Sequence, residues 1–154
     1  MNVALFPGSF DPVTKGHESI VKKALPMFDK IIVAIGENTS KKTMFSLEDR
    51  LKWLKETFAD CDNVEIDSYN CLTTDYCRQK NAKFILRGLR DTADFQYEKN
   101  ISDINTMLDP EIETVFLLAD KQDSSISSSF VREMIMFGKD VREFLPKSVV
   151  IPNK

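Results

Sequence analysis

The sequence predicts a doubly wound α/β fold, five parallel strands with helices on both faces. Three observations carry that prediction: five short runs of consecutive apolar residues, stretches of helical apolar spacing between them, and turn residues where the runs end. Strands that are apolar without alternation are covered on both faces, as parallel sheets are. Parallel neighbours joined through helices need right-handed crossovers, which distribute the helices over both faces.

Residues 2–6 read as a buried first strand ended by Pro7-Gly8, because proline has no N–H to give to a central ladder. Over residues 17–28, Ile20, Val21, Ala24 and Leu25 recur at helical spacing, with Pro26 marking a frayed end. Residues 30–35 (KIIVAI) form the second strand. Ser46 followed by Asp49 resembles a capping box, with Asp where Glu or Gln is usual, and opens a helix through Phe58. Residues 64–67 give a third strand, 72–79 a helix and 83–87 a fourth strand. A long helix over 93–108 is stopped by Pro110, and 114–119 (TVFLLA) make the fifth strand. Ser127, Ser128 and Ser129 offer N-cap hydroxyls to a helix over 130–137, which Gly138 closes at its C′ position. The rest, ending in Val149-Val150-Ile151-Pro152, is a short terminal element. No repeat, low-complexity tract or linker interrupts this order, so residues 1–154 read as one domain with a Rossmann-like sheet.

Composition narrows the function classes. A chain of 154 residues with 42% hydrophobic residues can bury a core without disulfide or metal staples. The 21 Lys+Arg against 24 Asp+Glu leave a net charge of -3, so no global positive field favours nucleic acid or acidic lipid. Cys61, Cys71 and Cys77 lack CxxC spacing and, beside a single histidine, make a poor zinc set; buried or idle thiols in a reducing cytosol are expected. The N-terminus has no basic segment, and no run of 18 apolar residues offers a membrane span, so a cytoplasmic protein without membrane partners is expected.

In such sheets ligands bind beyond the carboxyl ends of the strands, which directs attention to the loops 7–16, 36–45, 68–71, 88–92 and 120–129. The first, Pro7-Gly8-Ser9-Phe10-Asp11-Pro12-Val13-Thr14-Lys15-Gly16-His17, joins strand to helix with two glycines, a hydroxyl and the chain's one histidine. Glycine lets backbone N–H groups approach an anion, and a helix N-terminus favours negative charge there. The loop is neither a Walker A motif nor a GxGxxG fingerprint. At a helix start His17 should stay neutral and donate one hydrogen bond. A serine hydrolase built on Ser9 and His17 is disfavoured, since no GxSxG elbow occurs. Lys41-Lys42 and Arg87-Gly88-Leu89-Arg90 put four cations on the same sheet edge, enough to neutralise a polyphosphate, and the serines at 127–129 add a second anion cradle.

Five blocks carry a resemblance: PGSFDPVTKGH, SKKTMF, ILRGLR, DFQYE and ISSS, in order along nearly the whole chain. Together they resemble the bacterial phosphopantetheine adenylyltransferases; Thr14-Lys15-Gly16-His17 meets the (H/T)xGH motif of the wider nucleotidyltransferase superfamily, and the three middle blocks select the acceptor. The resemblance implies attack by the phosphate of 4′-phosphopantetheine on the α-phosphorus of ATP, with Mg²⁺ bridging ATP oxygens and no metal ligand from protein side chains. It implies that His17 stabilises the transition state with help from Ser9 and Lys41. Ser9, Phe10, His17, Gly88, Leu89, Arg90, Glu98, Asp123, Ser124, Ser125, Ile126, Ser127, Ser128 and Ser129 would bind ATP. Ser9, Lys41, Thr73 and Arg87 would bind the acceptor, and six copies would form a homohexamer. Ser9 replaces the more usual threonine, keeping the hydroxyl; Asp123 stands where an aromatic residue is common, and Thr73 where a larger apolar one is expected. Two rivals remain: a non-catalytic nucleotide-binding regulator, which would have no use for His17, Ser9 and Lys41 aimed at one phosphorus, and an enzyme for another acceptor such as nicotinamide mononucleotide.

Overall fold

A computed structural model describes residues 1–37 and 40–152. Strands β1 (Val3–Gly8), β2 (Lys30–Gly36), β3 (Val64–Tyr69), β4 (Phe84–Leu89) and β5 (Glu113–Leu118) form a single sheet in the order β3-β2-β1-β4-β5, every pairing parallel. Helices α1 (Lys15–Ala24), α2 (Leu47–Thr57), α3 (Thr73–Gln79), α4 (Thr92–Leu108) and α5 (Ser128–Met136) connect and follow them, with short 3-10 turns at Leu25–Met27, Lys121–Asp123 and Arg142–Phe144. No helix among the described residues is long and apolar enough to cross a membrane.

Alternation along the strands sorts the core into two layers. Ala4, Phe6, Val33 and Leu86 meet Ile20 and Val21 of α1, Trp53 and Leu54 of α2 and Val131 of α5 on one face. Val3, Leu5, Ile32 and Ile85 meet Tyr76 and Cys77 of α3 on the other. There α4 also packs, its Phe95 against Phe116 of β5. Of the three cysteines Cys77 alone is buried; Cys61 is half-buried and Cys71 exposed.

Three strand ends run two residues beyond the sequence expectation: β3 continues through Ser68 and Tyr69, paired with Ile35 and Gly36 of β2, and β1 and β4 do the same. β1 does not stop at Phe6 but runs through Pro7 and Gly8, which register with Ala34 and Ile35 of β2. Proline is tolerated because a strand residue's N–H and C=O point to the same side. The Pro7 carbonyl accepts from Arg87 on the β4 side, where pairing with β1 has already ended at Leu5↔Ile85, so the missing N–H removes no ladder bond. β4 likewise continues through Gly88 and Leu89, paired with Leu117 and Leu118. A Cβ on Gly88 would lie 2.9 Å from Ile20 Cγ1, so glycine here lets α1 lie close on the sheet rather than marking a turn.

Helix starts follow their caps. Ser46 Oγ accepts from Asp49 N–H at the start of α2, Asp91 caps α4 through Asp94 N–H, and Ser127 caps α5 through Phe130 N–H. α5 ends in a Schellman turn: Gly138, at φ 73°, donates to Ile135 O while Lys139 N–H donates to Met134 O.

Gly88→Ala should destabilise the fold by about 1–3 kcal/mol through the clash with Ile20. Urea unfolding of Gly88→Ala in the native and Ile20→Ala backgrounds checks it. The alanine should cost clearly less once Ile20 is truncated; equal costs would assign the loss to something other than this contact.

Candidate active site

The chain reverses its direction of winding between β1 and β4, the point at which an open parallel sheet offers a crevice. Beyond Leu5 and Ile85 the two strands part, and Arg87 bridges the gap with Nη1 donating to Pro7 O. Its Nε and Nη2 reach Glu98 of α4 at 2.8 and 2.6 Å, a bidentate pair with Glu98 itself 7% exposed. Clefts open on both sides of this bridge.

The first, about 330 Å³, is walled by the β1–α1 loop, the end of β4 and the start of α5. Ser9 and Phe10 line it from the loop and His17 from the start of α1, Gly88, Arg90 and Glu98 from β4, the turn after it and α4, and Asp123, Ile126, Ser127, Ser128 and Ser129 from the other side. The second, about 320 Å³, is walled by Ser9, Gly36, Tyr69, Thr73 and Arg87, with Tyr97, Ile101 and Asn105 of α4. Ser9, Lys41, Arg87 and Glu98 line both. The expected ATP-side and acceptor-side residues are thus sorted largely into separate spaces that share Ser9, Lys41 and Arg87.

Three residues lie elsewhere. Leu89 is buried at the end of β4, Ser124 turns its hydroxyl to Lys121 O at 3.0 Å, and Ser125 lines a separate surface groove beside Lys15 and Gln122. Lys42 is exposed and is not among the lining residues; the fourth cation of the first cleft, with Lys41, Arg87 and Arg90, is Arg132. Residues 38 and 39 of the expected loop 36–45 lie outside the described residues.

His17 occupies the third position of α1 and closes a reciprocal cap with Thr14. Thr14 Oγ1 accepts from His17 N–H at 3.4 Å, and Thr14 N–H donates to the ring Nδ1 at 3.0 Å. An Nδ1 that accepts from an amide carries no proton, so the neutral ring keeps its proton on Nε2 as a donor. Burial, then the charges of Arg87 and Arg90, push the His17 pKa from 6.5 down to about 4. The ring stands edge-on to Phe10, centroids 4.8 Å apart. Phe10 is held at φ 47°, a left-handed backbone uncommon outside glycine, and its ring fills the space above Gly8, where a Cβ would come within 3.0 Å. Lys41 Nζ donates to Ser9 Oγ at 2.8 Å, bringing the β2–α2 loop onto the first loop.

The serine run divides its work. Ser127 caps α5, Ser128 Oγ donates to Pro12 O at 2.8 Å, and Ser129 Oγ accepts from Arg132 at 3.1 Å, so an anion at this helix start would meet backbone N–H groups first. Sequence reasoning missed Asp11 and Arg132. Arg132 had a legible signal, one helical turn beyond Ser129, whereas nothing local to Asp11 announces that its carboxylate accepts from Met44 and Phe45 N–H at 2.9 and 3.0 Å. At Thr73 the hydroxyl pairs with Tyr69 Oη at 2.9 Å on the wall of the second cleft.

A family model described as cytidylyltransferase-like matches residues 5–134. The phosphopantetheine adenylyltransferase of Flavobacterium psychrophilum is 52% identical over 97% of this chain and 98% of its own length. That of Phocaeicola vulgatus is 48% identical over 98% and 99%. Among solved structures, a bifunctional NMN adenylyltransferase/ADP ribose pyrophosphatase from Francisella tularensis superposes with a TM-score of 0.73 at 20% identity, over 96% of this chain, which spans 46% of that longer protein and shares its fold over that part. Matched by the family model over most of its length, and near half identical from end to end to named relatives, the chain belongs to the cytidylyltransferase-like family and, within it, to the phosphopantetheine adenylyltransferases.

Proposed function

We propose that this chain, acting as one domain over residues 1–154, transfers the adenylyl group of ATP to 4′-phosphopantetheine, giving dephospho-coenzyme A and pyrophosphate. The observation that carries this reading is the pair of clefts meeting at Ser9, Lys41 and Arg87: a triphosphate on one side and a phosphate-ended acceptor on the other would touch where three polar side chains converge. Near-full-length identity to enzymes of that name supports the choice of acceptor over nicotinamide mononucleotide.

The reaction is an in-line displacement. An oxygen of the acceptor phosphate forms a bond to the α-phosphorus while the bond to the α–β bridging oxygen breaks, and that oxygen leaves on pyrophosphate. No covalent protein intermediate is required, so positioning and charge stabilisation supply the rate. His17, neutral and protonated on Nε2, donates to the charge that develops on the α-phosphoryl oxygens. Lys41, beside Ser9, neutralises the approach of two anionic groups. Arg87 spends three of its five N–H donors on Glu98 and Pro7, leaving two for the acceptor phosphate.

Mg²⁺ fits here as a passenger of ATP. Of the four carboxylates lining the first cleft three are committed, Asp11 to the amides of Met44 and Phe45, Asp94 to Arg90 at 3.0 and 3.2 Å, and Glu98 to Arg87, and the fourth, Asp123, stands on the opposite wall. Phosphate oxygens and water would therefore hold the ion, whose contribution is to offset triphosphate charge.

We read the protein as cytoplasmic and as an assembly of six copies. Supporting assembly, α4 leaves Ile104, Met107 and Leu108 more than half exposed.

Incubation with ATP, Mg²⁺ and a panel of phosphorylated acceptors tests the function. Dephospho-coenzyme A and pyrophosphate should form in equal amounts from phosphopantetheine; turnover of another acceptor alone would overturn the assignment. Replacing His17 with alanine should lower kcat about 10²- to 10³-fold with ATP affinity nearly unchanged. Because the chain has one histidine, its imidazole can be titrated directly by NMR. The folded state binds fewer protons than the unfolded chain between about pH 4 and 6.5, so stability should fall as pH drops through that window, and the ring should titrate near 4; a midpoint near 6.5 would contradict the neutral donor. Light scattering should return six times the chain mass of 17.6 kDa, and a monomer would remove the assembly.

A further inference from the structure

Lys41 lies on the largely exposed segment between β2 and α2. It and its neighbours Ser40, Lys42 and Met44 are exposed, and Phe45, edge-on to Trp53 at 4.9 Å, is the segment's principal apolar anchor. A lysine at the end of such a segment would sample many positions, and only a narrow subset brings its ammonium group to a reacting phosphate.

Several ties to the segment come from the β1–α1 loop and its surroundings. Asp11, 3% exposed, accepts from Met44 N–H at 2.9 Å and from Phe45 N–H at 3.0 Å, both oxygens engaged. Arg50 of α2 works across the same junction, donating to Ser9 O at 2.9 Å and to Phe45 O at 3.1 Å. From the opposite side Arg132 of α5 donates to Asp11 O at 2.8 Å and lies 3.9 Å from its carboxylate, while its other end reaches Ser129. Asp11 thus sits where the loop bearing Ser9 and His17, the segment bearing Lys41 and the start of α5 meet. Charge-assisted bonds to two backbone amides are among the stronger single hydrogen bonds, and here the accepting residue Asp11 is buried.

From this geometry we infer that Asp11 is the positioning residue for Lys41: by holding the Met44 and Phe45 amides it fixes the segment so that the Lys41 ammonium group stays against Ser9 at the junction of the two clefts. The inference rests on the adenylyl-transfer reading. Asp11 touches neither substrate in this role; it acts through the backbone three and four residues beyond Lys41. Asparagine in its place keeps the shape but sets an NH₂ against one of the two amide donors, so one tie breaks.

The test is a double-mutant cycle in steady-state pyrophosphate release with ATP and phosphopantetheine, using Asp11→Asn, Lys41→Ala and both together, with thermal melts and ATP binding on each variant. Asp11→Asn should lower kcat about 10- to 100-fold while the dissociation constant of ATP changes less than about threefold. Adding it to Lys41→Ala should cost nothing further, because the residue it positions is already gone. Multiplying losses, an unchanged kcat, or a loss confined to ATP binding would each overturn the inference. If Asp11→Asn does not fold, Met44→Pro takes its place in the cycle: it deletes one of the two donors at an exposed position and leaves Asp11 intact. A wild-type protein that binds ATP but forms no dephospho-coenzyme A would defeat the adenylyl-transfer reading itself, whereas a wild-type protein that turns over beside variants that fail the pattern would defeat the role of Asp11 alone.

Discussion

Everything in the site depends on the parting of β1 and β4 beyond Leu5 and Ile85. Two parallel strands at the centre of a sheet normally continue to pair until both end. Here the separation frees the last residues of β1 from one neighbour, which makes Pro7 admissible, turns Gly8 and Ser9 into lining of two clefts, and leaves a gap that Arg87 fills with a hydrogen bond to the Pro7 carbonyl. Without that bridge the Pro7 carbonyl, at the wall of both clefts, would have no partner within the sheet. The bridge is in turn fixed by Glu98, so α4 is tied to the sheet at the point where the clefts meet.

Charge in the site is arranged before any ligand arrives. The chain as a whole is acidic, yet Lys41, Arg87, Arg90 and Arg132 face one cleft. Two of the four are held by carboxylates of α4, Arg87 by Glu98 and Arg90 by Asp94. Such pairs lower the net field felt by an incoming triphosphate but fix the guanidinium planes, trading attraction at a distance for orientation at contact. The same cations act on His17, where, after burial, Arg87 and Arg90 are what keep the ring from taking a proton. A positively charged surrounding and a neutral histidine are therefore two aspects of one charge distribution.

The sequence was informative where structure is local. Apolar runs marked all five strands, and the hydroxyls of Ser46 and Ser127 sit at the helix starts they announced. Pro7 and Gly88 misled because their usual meaning as breakers holds for fully paired strands; here one lies beside a gap and the other beneath Ile20, and both conditions are set by residues far away in the chain. The same distance hid Asp11, whose partners lie 33 and 34 residues on; Arg132 carried a local signal in its spacing from Ser129, but its bond to the Asp11 carbonyl spans 121 residues. Blocks such as PGSFDPVTKGH point to a reaction through residues adjacent in sequence, while the hydrogen bonds that keep those blocks in register run between segments and leave no periodic trace.

The pair Thr14 and His17 shows why the first loop compresses so much into so few residues. Two hydrogen bonds cap α1, and one of them also decides which ring nitrogen carries the proton. A glutamate at position 17 could complete the same cap but would bring a negative charge toward a phosphate; a lysine would bring charge but no acceptor for the Thr14 amide. Histidine alone among these side chains offers an acceptor on one side of a rigid ring and a donor on the other while remaining neutral. Because the acceptor is satisfied by the backbone of the same turn, the donor's direction is set by the helix start rather than by a flexible neighbour, and the closely packed Gly88 beneath Ile20 keeps that helix start where the strands part.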